Sequence, residues 1–141
     1  MSDAPKKKLR FVHHVGMKID EATAGHARGS LEISDMHRNG TGVAHGGALF
    51  TLADTCMGAA LYNSLEPGEI CATIEIKIGY FKPVFDGTLV CEATLLNKGK
   101  SVASLEATIR NGNQLVSKAS GTFAIFRRKT DAQWTEPAVS D

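Results

Sequence analysis

The sequence lacks both a long apolar run and an excess of charge of one sign. None of its 141 residues lies in a stretch approaching the roughly 18 apolar residues of a spanning helix, so we expect no membrane anchor. Lys and Arg number 16 and Asp and Glu number 15, for a formal net charge of +1. This balance gives no reason to expect a nucleic-acid partner.

Cysteine is scarce, and metal-binding spacings are missing. Cys56, Cys71 and Cys91 are widely separated without a CxxC pair, and the five histidines form no HExxH motif. We therefore expect neither a disulfide framework nor a metal site. The basic N-terminus is not followed by an apolar segment, which argues against a secretory signal. These features favour a cytoplasmic protein with free thiols.

The common nucleotide and nucleophile motifs are also absent. Gly40-x-Gly42 lacks the third glycine of the dinucleotide fingerprint, and the chain contains no GxxxxGK[ST] phosphate loop. It contains no GxSxG elbow, which disfavours a serine hydrolase of the α/β type. We therefore expect no nucleotide cofactor.

Small residues are abundant. The chain has 17 Ala and 14 Gly, against six Phe, two Tyr and one Trp. Its core must therefore rely on close backbone approach as well as on bulky side chains. A chain of this length also has difficulty enclosing a large ligand pocket alone.

Alternation of apolar and polar residues predicts strands along most of the chain. Residues 26–34 alternate, and residues 72–82 alternate more strongly. The apolar face expected for the second run is Ile74, Ile76, Ile78 and Tyr80. Three more alternating runs are separated by turn signals rich in Asn, Asp and Gly, which favours an antiparallel meander: residues 88–96, 101–110 and 114–126.

Residues 46–63 break the alternation and fit a buried helix. Its broad apolar arc is Leu49, Leu52, Ala53, Cys56, Met57, Ala60 and Leu61. Its opposite face is a stripe of small residues with one carboxylate: Gly47, Thr51, Asp54 and Gly58. A long antiparallel sheet around this helix is the economical packing, a two-layer α+β domain. We place that domain at residues 10–128, with flexible tails at 1–9 and 129–141.

Asp54 is the anomaly of the helix, because a buried carboxylate is costly without partners. It is either a structural group bonded to backbone amides or a neighbouring Thr, or it faces a ligand site. The Gly-rich segment 37–47 enters the helix just upstream. The first helical N–H groups, near Gly46 and Gly47, lack intrahelical acceptors. The segment is either an ordinary helix entry or an oxyanion hole.

The pattern N-x-x-G-x-x-H-G-G followed by L-x-D, from Asn39 to Asp54, resembles the signature of hotdog-fold acyl-CoA thioesterases. It is most similar to the phenylacetate-pathway, PaaI-like type. The segment TIEIKIGYFKPV and the Lys98-Gly99-Lys100 turn agree in order and spacing, so the similarity covers about residues 10–127. It implies the hotdog fold, a long curved antiparallel sheet of about five to six strands wrapped around one central helix.

The resemblance implies catalytic roles for five residues. The Gly46 N–H would polarise the thioester carbonyl, and Asp54 would act as general base or nucleophile. Asn39 would orient the attacking water or the thioester. His45 would support the loop and the carbonyl end of the site, and Thr73 would hold a water.

The implied reaction is hydrolysis of an acyl-CoA thioester to the free acid and CoA, without metal or cofactor. Gly47 would contact the substrate, and Lys98 and Lys100 are candidates for the CoA phosphates. The resemblance also implies a homodimer or a homotetramer of two dimers, with Asp54 and the Gly46 loop of one site coming from different subunits. A shared site would also solve the size limit of the short chain.

Two other functions remain open from the sequence. A non-catalytic acyl-CoA sensor would use the same loop and helix, although the presence of Asn39 and Asp54 favours catalysis. A hotdog dehydratase or hydratase pairs a His with an acid, but the spacing from His45 to Asp54 does not resemble theirs. The acyl group also remains open, and its pocket is expected along the strand faces and the helix stripe, near Phe11 and His14.

Overall fold

The computed structural model describes residues 10–128, and the predicted tails at 1–9 and 129–141 lie outside them. The elements, with a short 3₁₀ helix at Asp35–His37, are α1 (Arg10–His14), β1 (Met17–Thr23), β2 (His26–Glu32), α2 (Gly46–Tyr62), β3 (Glu69–Tyr80), β4 (Thr88–Lys98), β5 (Val102–Asn111) and β6 (Gln114–Arg127). The strands form one antiparallel sheet in the order β1-β2-β4-β5-β6-β3. In the described part of the chain, no helix has the length and apolarity needed to cross a membrane.

Helix α2 is the centre of the core, as its apolar arc predicts. It contacts all six strands, and its buried residues are the seven of the predicted arc. A fully buried Leu contributes about 1.5–3 kcal/mol relative to an exposed one, so this arc holds the helix against the sheet. The predicted α+β architecture with one central helix is confirmed.

The abundance of small residues has a direct structural counterpart where β2 crosses α2. A Cβ at Gly29 would lie 2.6 Å from the Cys56 sulfur and 2.9 Å from the Lys18 carbonyl oxygen. Neither neighbour leaves room for a methyl group, so the strand approaches the helix closely only because residue 29 is glycine. The expected reliance on close backbone approach is met at this crossing.

The N-terminal strand β1 was not predicted as a strand. Its sequence MKIDEAT buries only Met17, while Ile19 and Ala22 are half-buried and the other residues are exposed. β1 lies at one edge of the sheet and pairs only with β2. Its apolar alternation is therefore too weak to stand out in the sequence.

The predicted apolar face of β3 is wrong at one of its four residues. Ile76 and Ile78 are half-buried, and Tyr80, although 50% exposed, contacts Gly46 at the start of α2, whereas Ile74 is 58% exposed. β3 lies at the other edge of the sheet, where one side of the strand has no neighbour within residues 10–128. An edge position leaves more of each side chain in solvent than the alternation pattern indicates.

A β-bulge explains the position of Ile74. Thr73 pairs with Phe123 and Glu75 pairs with Thr122, so Ile74 is an extra residue between two adjacent pairs. A bulge of this kind shifts the inside-outside alternation by one position. Thr73 consequently shares the helix-facing side of β3 with Ile76, although the two are three residues apart.

Candidate active site

The Asp54 carboxylate lies halfway along α2 on the face that is not packed into the core. It is partly exposed, and the Thr73 hydroxyl donates a hydrogen bond of 2.8 Å to its Oδ1. Within residues 10–128, no other hydrogen bond or ion pair is made by this carboxylate. One oxygen of Asp54 is therefore held by a threonine, as the structural alternative expects, while the other makes no hydrogen bond in the described part of the chain.

The β3 bulge brings Thr73 to Asp54. Strict alternation with Ile76 inward would turn the Thr73 side chain away from α2, and the extra residue Ile74 reverses this. Cys71, two residues earlier, is half-buried on the same face. Burial raises the pKa of the Cys71 thiol, and the Asp54 charge raises it further. Cys71 is therefore a neutral thiol at neutral pH rather than a nucleophilic thiolate.

The start of α2 is held by His45 in the N-cap position. The His45 Nδ1 accepts a hydrogen bond of 2.8 Å from the Gly47 N–H, and the His45 N–H donates to the His37 carbonyl at 2.6 Å. The Gly47 N–H is thereby used inside the protein. Among residues 10–128, the Gly46 N–H has no hydrogen-bond acceptor, so it is the donor that a ligand can reach at the positive end of the helix.

Tyr80 contacts Gly46 and was not identified as a site residue from the sequence. Its hydroxyl donates a hydrogen bond of 2.9 Å to the Gly46 carbonyl, and a Cβ at Gly46 would lie 3.0 Å from the tyrosine Cζ. Burial raises the pKa of the Tyr80 hydroxyl, so it remains a donor at neutral pH. The only sequence signal was an apolar alternation, which does not indicate a contact with a helix start.

Gly46 and Asp54 are separated along α2. They are eight residues apart, which at 1.5 Å per residue is about 12 Å of helix axis. Groups that act on one reacting carbon must each lie within about 3 Å of a common point. The Gly46 N–H and the Asp54 carboxylate of one chain therefore cannot act on the same ligand carbonyl.

Asn39 lies in the exposed loop before α2, and the structure does not bring it to Asp54 within one chain. Its Oδ1 accepts hydrogen bonds from the Thr41 N–H at 3.0 Å and from the Thr41 hydroxyl at 2.7 Å. Its side-chain NH₂ makes no hydrogen bond within residues 10–128. The loop therefore fixes the Asn39 side chain and leaves its amide donor available.

The two predicted phosphate-binding lysines differ in their surroundings. The Lys98 Nζ lies 3.2 Å from Glu69 Oε1, and that oxygen also accepts from the Glu66 N–H at 2.8 Å. The Glu66 N–H, and after it Lys98, hold the pKa of Glu69 below its usual value. Lys100 is exposed in the β4–β5 turn and makes no ion pair in the described part of the chain. Lys98 is therefore engaged by Glu69, whereas the Lys100 charge faces solvent.

Two clefts flank the start of α2. The β3 cleft, of about 360 Å³, is lined by residues that include Gly46, Tyr80 and Lys82. The α1 cleft, of about 390 Å³, is lined by residues that include Phe11, Gly47 and Thr51. Of the residues expected near an acyl pocket, Phe11 and two members of the helix stripe, Gly47 and Thr51, line the α1 cleft, whereas His14 lines neither cleft. Residues 10–128 contain no cluster of His, Cys, Asp or Glu placed to hold a metal ion.

Comparison with known proteins decides the family. Residues 41–118 match the profile of the Thioesterase superfamily. The chain belongs to this superfamily. A relative from Archaeoglobus fulgidus, named "Putative esterase", is 34% identical over 133 residues, which are 93% of this chain and 83% of the relative.

Several solved structures share the fold. The conserved protein PA5202 from Pseudomonas aeruginosa is 38% identical, with a TM-score of 0.80 over 83% of this chain and 94% of that one. A point mutant of the thioesterase SAV0944 from Staphylococcus aureus is 26% identical, with a TM-score of 0.78 over 82% and 97% of the two chains. A point mutant of the phenylacetic acid degradation protein PaaI from Thermus thermophilus is 26% identical, with a TM-score of 0.75 over 81% and 96%. The resemblance to hotdog-fold thioesterases and the predicted fold are confirmed.

Proposed function

We propose that this thioesterase-superfamily protein hydrolyses an acyl-CoA thioester to a free carboxylic acid and CoA. The observation that carries the proposal is a free backbone donor at a helix start, the Gly46 N–H, in the same fold as an accessible carboxylate, Asp54. Hydrolysis of a thioester uses both groups. One stabilises the developing oxyanion, and the other activates or supplies the attacking oxygen. The proposed reaction uses only these protein groups and water, without a metal. CoA is part of the substrate and is therefore not a cofactor.

In the proposed mechanism the thioester oxygen accepts a hydrogen bond from the Gly46 N–H, which the helix dipole strengthens. Asp54 either removes a proton from the attacking water, or attacks the carbonyl carbon itself, expels the CoA thiolate and forms a mixed anhydride that water then hydrolyses at the Asp54 carbon. Thr73 holds the carboxylate through Oδ1, so Oδ2 faces the reaction. The leaving thiolate has a pKa near that of cysteine, about 8.5, and therefore leaves without a strong acid. Incorporation of labelled solvent oxygen into Asp54 during one turnover distinguishes the two roles.

An acyl-CoA panel tests the proposal directly. Acetyl-, hexanoyl-, decanoyl- and phenylacetyl-CoA are offered to the purified protein, and release of the free thiol is followed over time. Turnover of at least one member is expected. Tight binding of the same thioesters without release of CoA would instead identify a non-catalytic acyl-CoA-binding protein. An enoyl-CoA is offered in a separate assay. Its hydration without thiol release would identify a hydratase.

We also propose that the active unit is a homodimer in which Asp54 of one subunit acts with the Gly46 loop of the other. The separation of about 12 Å within one chain supports this arrangement, because a second copy can supply the missing group. The β3 edge strand, with Ile74 exposed on it, offers unpaired backbone groups to a second chain. A homotetramer of two such dimers has the same site composition.

Mixing two inactive variants tests the shared site. In a dimer of Asp54→Asn with Gly46→Ala, one site receives both substitutions and the other receives neither. Random exchange of subunits should therefore restore about one quarter of the wild-type activity, as expected for a two-fold symmetric interface. Native mass spectrometry verifies that mixed dimers form. Mixed dimers without recovered activity would show that each site is built from a single chain.

The proposed role of Lys100 in binding CoA phosphates predicts a selective effect on KM. Lys100→Ala should raise KM for acyl-CoA several-fold at low salt, and the effect should fade at high salt. KM for the matching N-acetylcysteamine thioester, which has no phosphate, should not change. Lys98→Ala is the paired control, since its charge is already engaged by Glu69 and it should affect KM less. Equal effects on KM for both thioesters would show that Lys100 does not bind the CoA phosphates.

The contact of Tyr80 with Gly46 predicts an effect on kcat. Tyr80→Phe keeps the ring against Gly46 but removes the hydrogen bond to its carbonyl. A neutral hydrogen bond contributes about 1 kcal/mol, so kcat should fall about fivefold with little change in KM. Tyr62→Phe is the matched control, because Tyr62 is exposed at the end of α2. A Tyr80→Phe enzyme with unaltered kcat would mean that this bond does not position the loop.

We expect a reducing, cytoplasmic location for this activity. Cys56, Cys71 and Cys91 are all free thiols in the structure. Free thiols of this kind are usual in a compartment that keeps cysteine reduced.

A further inference from the structure

The α1 cleft has apolar walls drawn from five elements of the fold. Its apolar residues are Phe11, Val15, Met17, Leu31, Met36 and Ala48. Its remaining wall includes Gly47 and Thr51, on the small-residue stripe of α2. The cleft therefore reaches to within one residue of Gly46, the proposed donor to the thioester oxygen.

The polar side chains of this cleft already have partners. The His37 Nδ1 accepts from the Ser34 N–H at 2.9 Å, and its Nε2 lies 2.6 Å from the Val15 carbonyl, to which it donates. The Arg38 guanidinium donates to the Phe85 carbonyl at 2.9 and 3.2 Å, and its Nη1 lies 3.7 Å from the Asp35 carboxylate. A polar or charged ligand would therefore find few unused partners among these groups, whereas a hydrocarbon chain needs none.

The Thr51 hydroxyl and the His45 ring, at the inner end of the α1 cleft, are engaged in the same way. Thr51 donates to the Gly47 carbonyl at 2.8 Å, and His45 Nδ1 accepts from the Gly47 N–H. Thr51 Oγ1 and His45 Nδ1 are thus bonded within the helix start, whereas His45 Nε2 has no hydrogen-bond partner within residues 10–128. His45 is exposed, so water can reach this nitrogen while an apolar group lies against the other groups.

The β3 cleft, on the other side of Gly46, differs from the α1 cleft in how its cation is partnered, since Arg38 of the α1 cleft pairs with Asp35. It includes the cation Lys82, whose side chain is exposed and makes no ion pair within residues 10–128. A thioester bound through its carbonyl oxygen at Gly46 must extend its acyl group to one side and its CoA arm to the other. Of the two clefts, the one without a free charge suits the acyl group.

We propose that the α1 cleft is the acyl-binding pocket, that it takes an uncharged hydrocarbon acyl group, and that Phe11 and Met36 select its length. This inference rests on the proposed thioesterase function for the orientation of the substrate. Phe11 is 63% exposed and Met36 is 59% exposed, so both have apolar surface that a longer chain can cover. Met17 and Met36 are flexible and polarizable, which allows the pocket to accept chains of different shape.

Methyl NMR tests occupancy of the pocket without any hydrolysis. Protein labelled with ¹³C at the methionine methyls is titrated with decanoate, a free acid of the proposed product class. The Met17 and Met36 signals should shift and saturate, and Met36→Leu assigns the second of them. Met57, which is fully buried in the core, is the internal control and should not move. Unchanged Met17 and Met36 signals at saturating decanoate would overturn the proposal.

Chain-length preference tests the selecting residues. Phe11→Ala and Met36→Ala should lower the ratio of kcat/KM for decanoyl-CoA to that for acetyl-CoA about tenfold, because each removes contacts made only by a long chain. Any loss of acetyl-CoA hydrolysis should be much smaller than the loss for decanoyl-CoA. Phe85→Ala is the matched control, since Phe85 is similarly exposed but lines neither cleft. An unaltered ratio in both variants would overturn their role as selectors.

The two proposals fail separately. Saturable methyl shifts in a protein that hydrolyses no acyl-CoA would refute the thioesterase activity and leave an apolar-acid pocket. Hydrolysis with a chain-length ratio insensitive to Phe11 and Met36, and without methyl shifts, would leave the activity standing and refute the pocket.

Discussion

Asp54→Asn should lower kcat/KM for acyl-CoA hydrolysis by about 10²–10⁴-fold while leaving the fold intact. An asparagine has nearly the same shape, and its Oδ1 can still accept the hydrogen bond from the Thr73 hydroxyl. Its amide, however, neither removes a proton from water nor attacks a carbonyl. The loss should therefore appear in kcat, with a thermal unfolding midpoint close to that of the wild type.

Two controls separate the chemistry of Asp54 from its surroundings. Asp86→Asn changes an exposed aspartate in the turn after β3 and should leave activity as it is. Thr73→Val removes only the hydrogen bond to the carboxylate. It should lower kcat/KM several-fold, far less than Asp54→Asn does. If Asp54→Asn kept more than a tenth of the activity, Asp54 would not be the group that attacks or activates water.

Gly46→Ala is expected to lower kcat by up to about 10²–10³-fold, the loss found when one oxyanion donor is removed outright. The added Cβ would lie 3.0 Å from Tyr80 Cζ and 3.2 Å from the Tyr80 hydroxyl oxygen. The ring and the helix start must then move apart, which displaces the N–H from the thioester oxygen. Gly46 has no positive φ, and alanine favours helix, so the free energy of unfolding should not fall with the activity.

A neighbouring glycine and a double mutant show whether the contact of the new Cβ with Tyr80 causes the loss of kcat. Gly40→Ala lies in the same loop, also without positive φ, and its Cβ would meet no atom within 4 Å, so activity should be retained. In a Tyr80→Ala background, Gly46→Ala should cause a much smaller further loss, because the ring it strikes is gone. Equal losses in both backgrounds would mean that Gly46→Ala acts without Tyr80.

Helix α2 was predictable because its pattern is strong and local. Its buried arc repeats at helical spacing over 17 residues, so the seven buried side chains follow from sequence alone. The turns after β3, β4 and β5 were predictable for a similar reason, since each has its own Asn, Asp or Gly signal. The predicted meander holds for β4, β5 and β6 but is wrong for β3, which pairs with β6 rather than with β4, because that pairing depends on contacts between distant segments.

The candidate site was only partly predictable from periodicity. Asp54 stood out as a lone carboxylate, and the Gly46 loop as a helix entry. The roles of Asn39, Thr73 and His45 came from the family resemblance and stay predictions. Tyr80 was missed because its contact with Gly46 joins residues 34 positions apart, which no local pattern records.

Thr73 and Ile74 posed a conflict that only the structure resolves. Alternation placed Ile74 on the inner face of β3, which would have turned Thr73 away from the helix. The resemblance, in contrast, implied a place for Thr73 in the site. One extra residue in the strand turns Thr73 toward Asp54 and Ile74 away from α2, while the role of Thr73 stays a prediction.

The bulge has a consequence for how relatives are aligned. Counting forward in steps of two from Cys71 reaches Thr73, whereas counting backward from Ile78 through Ile76 reaches Ile74. A homologue whose third strand lacks the extra residue would carry its carboxylate-binding hydroxyl two positions before the counterpart of Ile76, not three. A column-by-column alignment without a gap would then pair that hydroxyl with Ile74, and a shared functional group would be scored as a substitution.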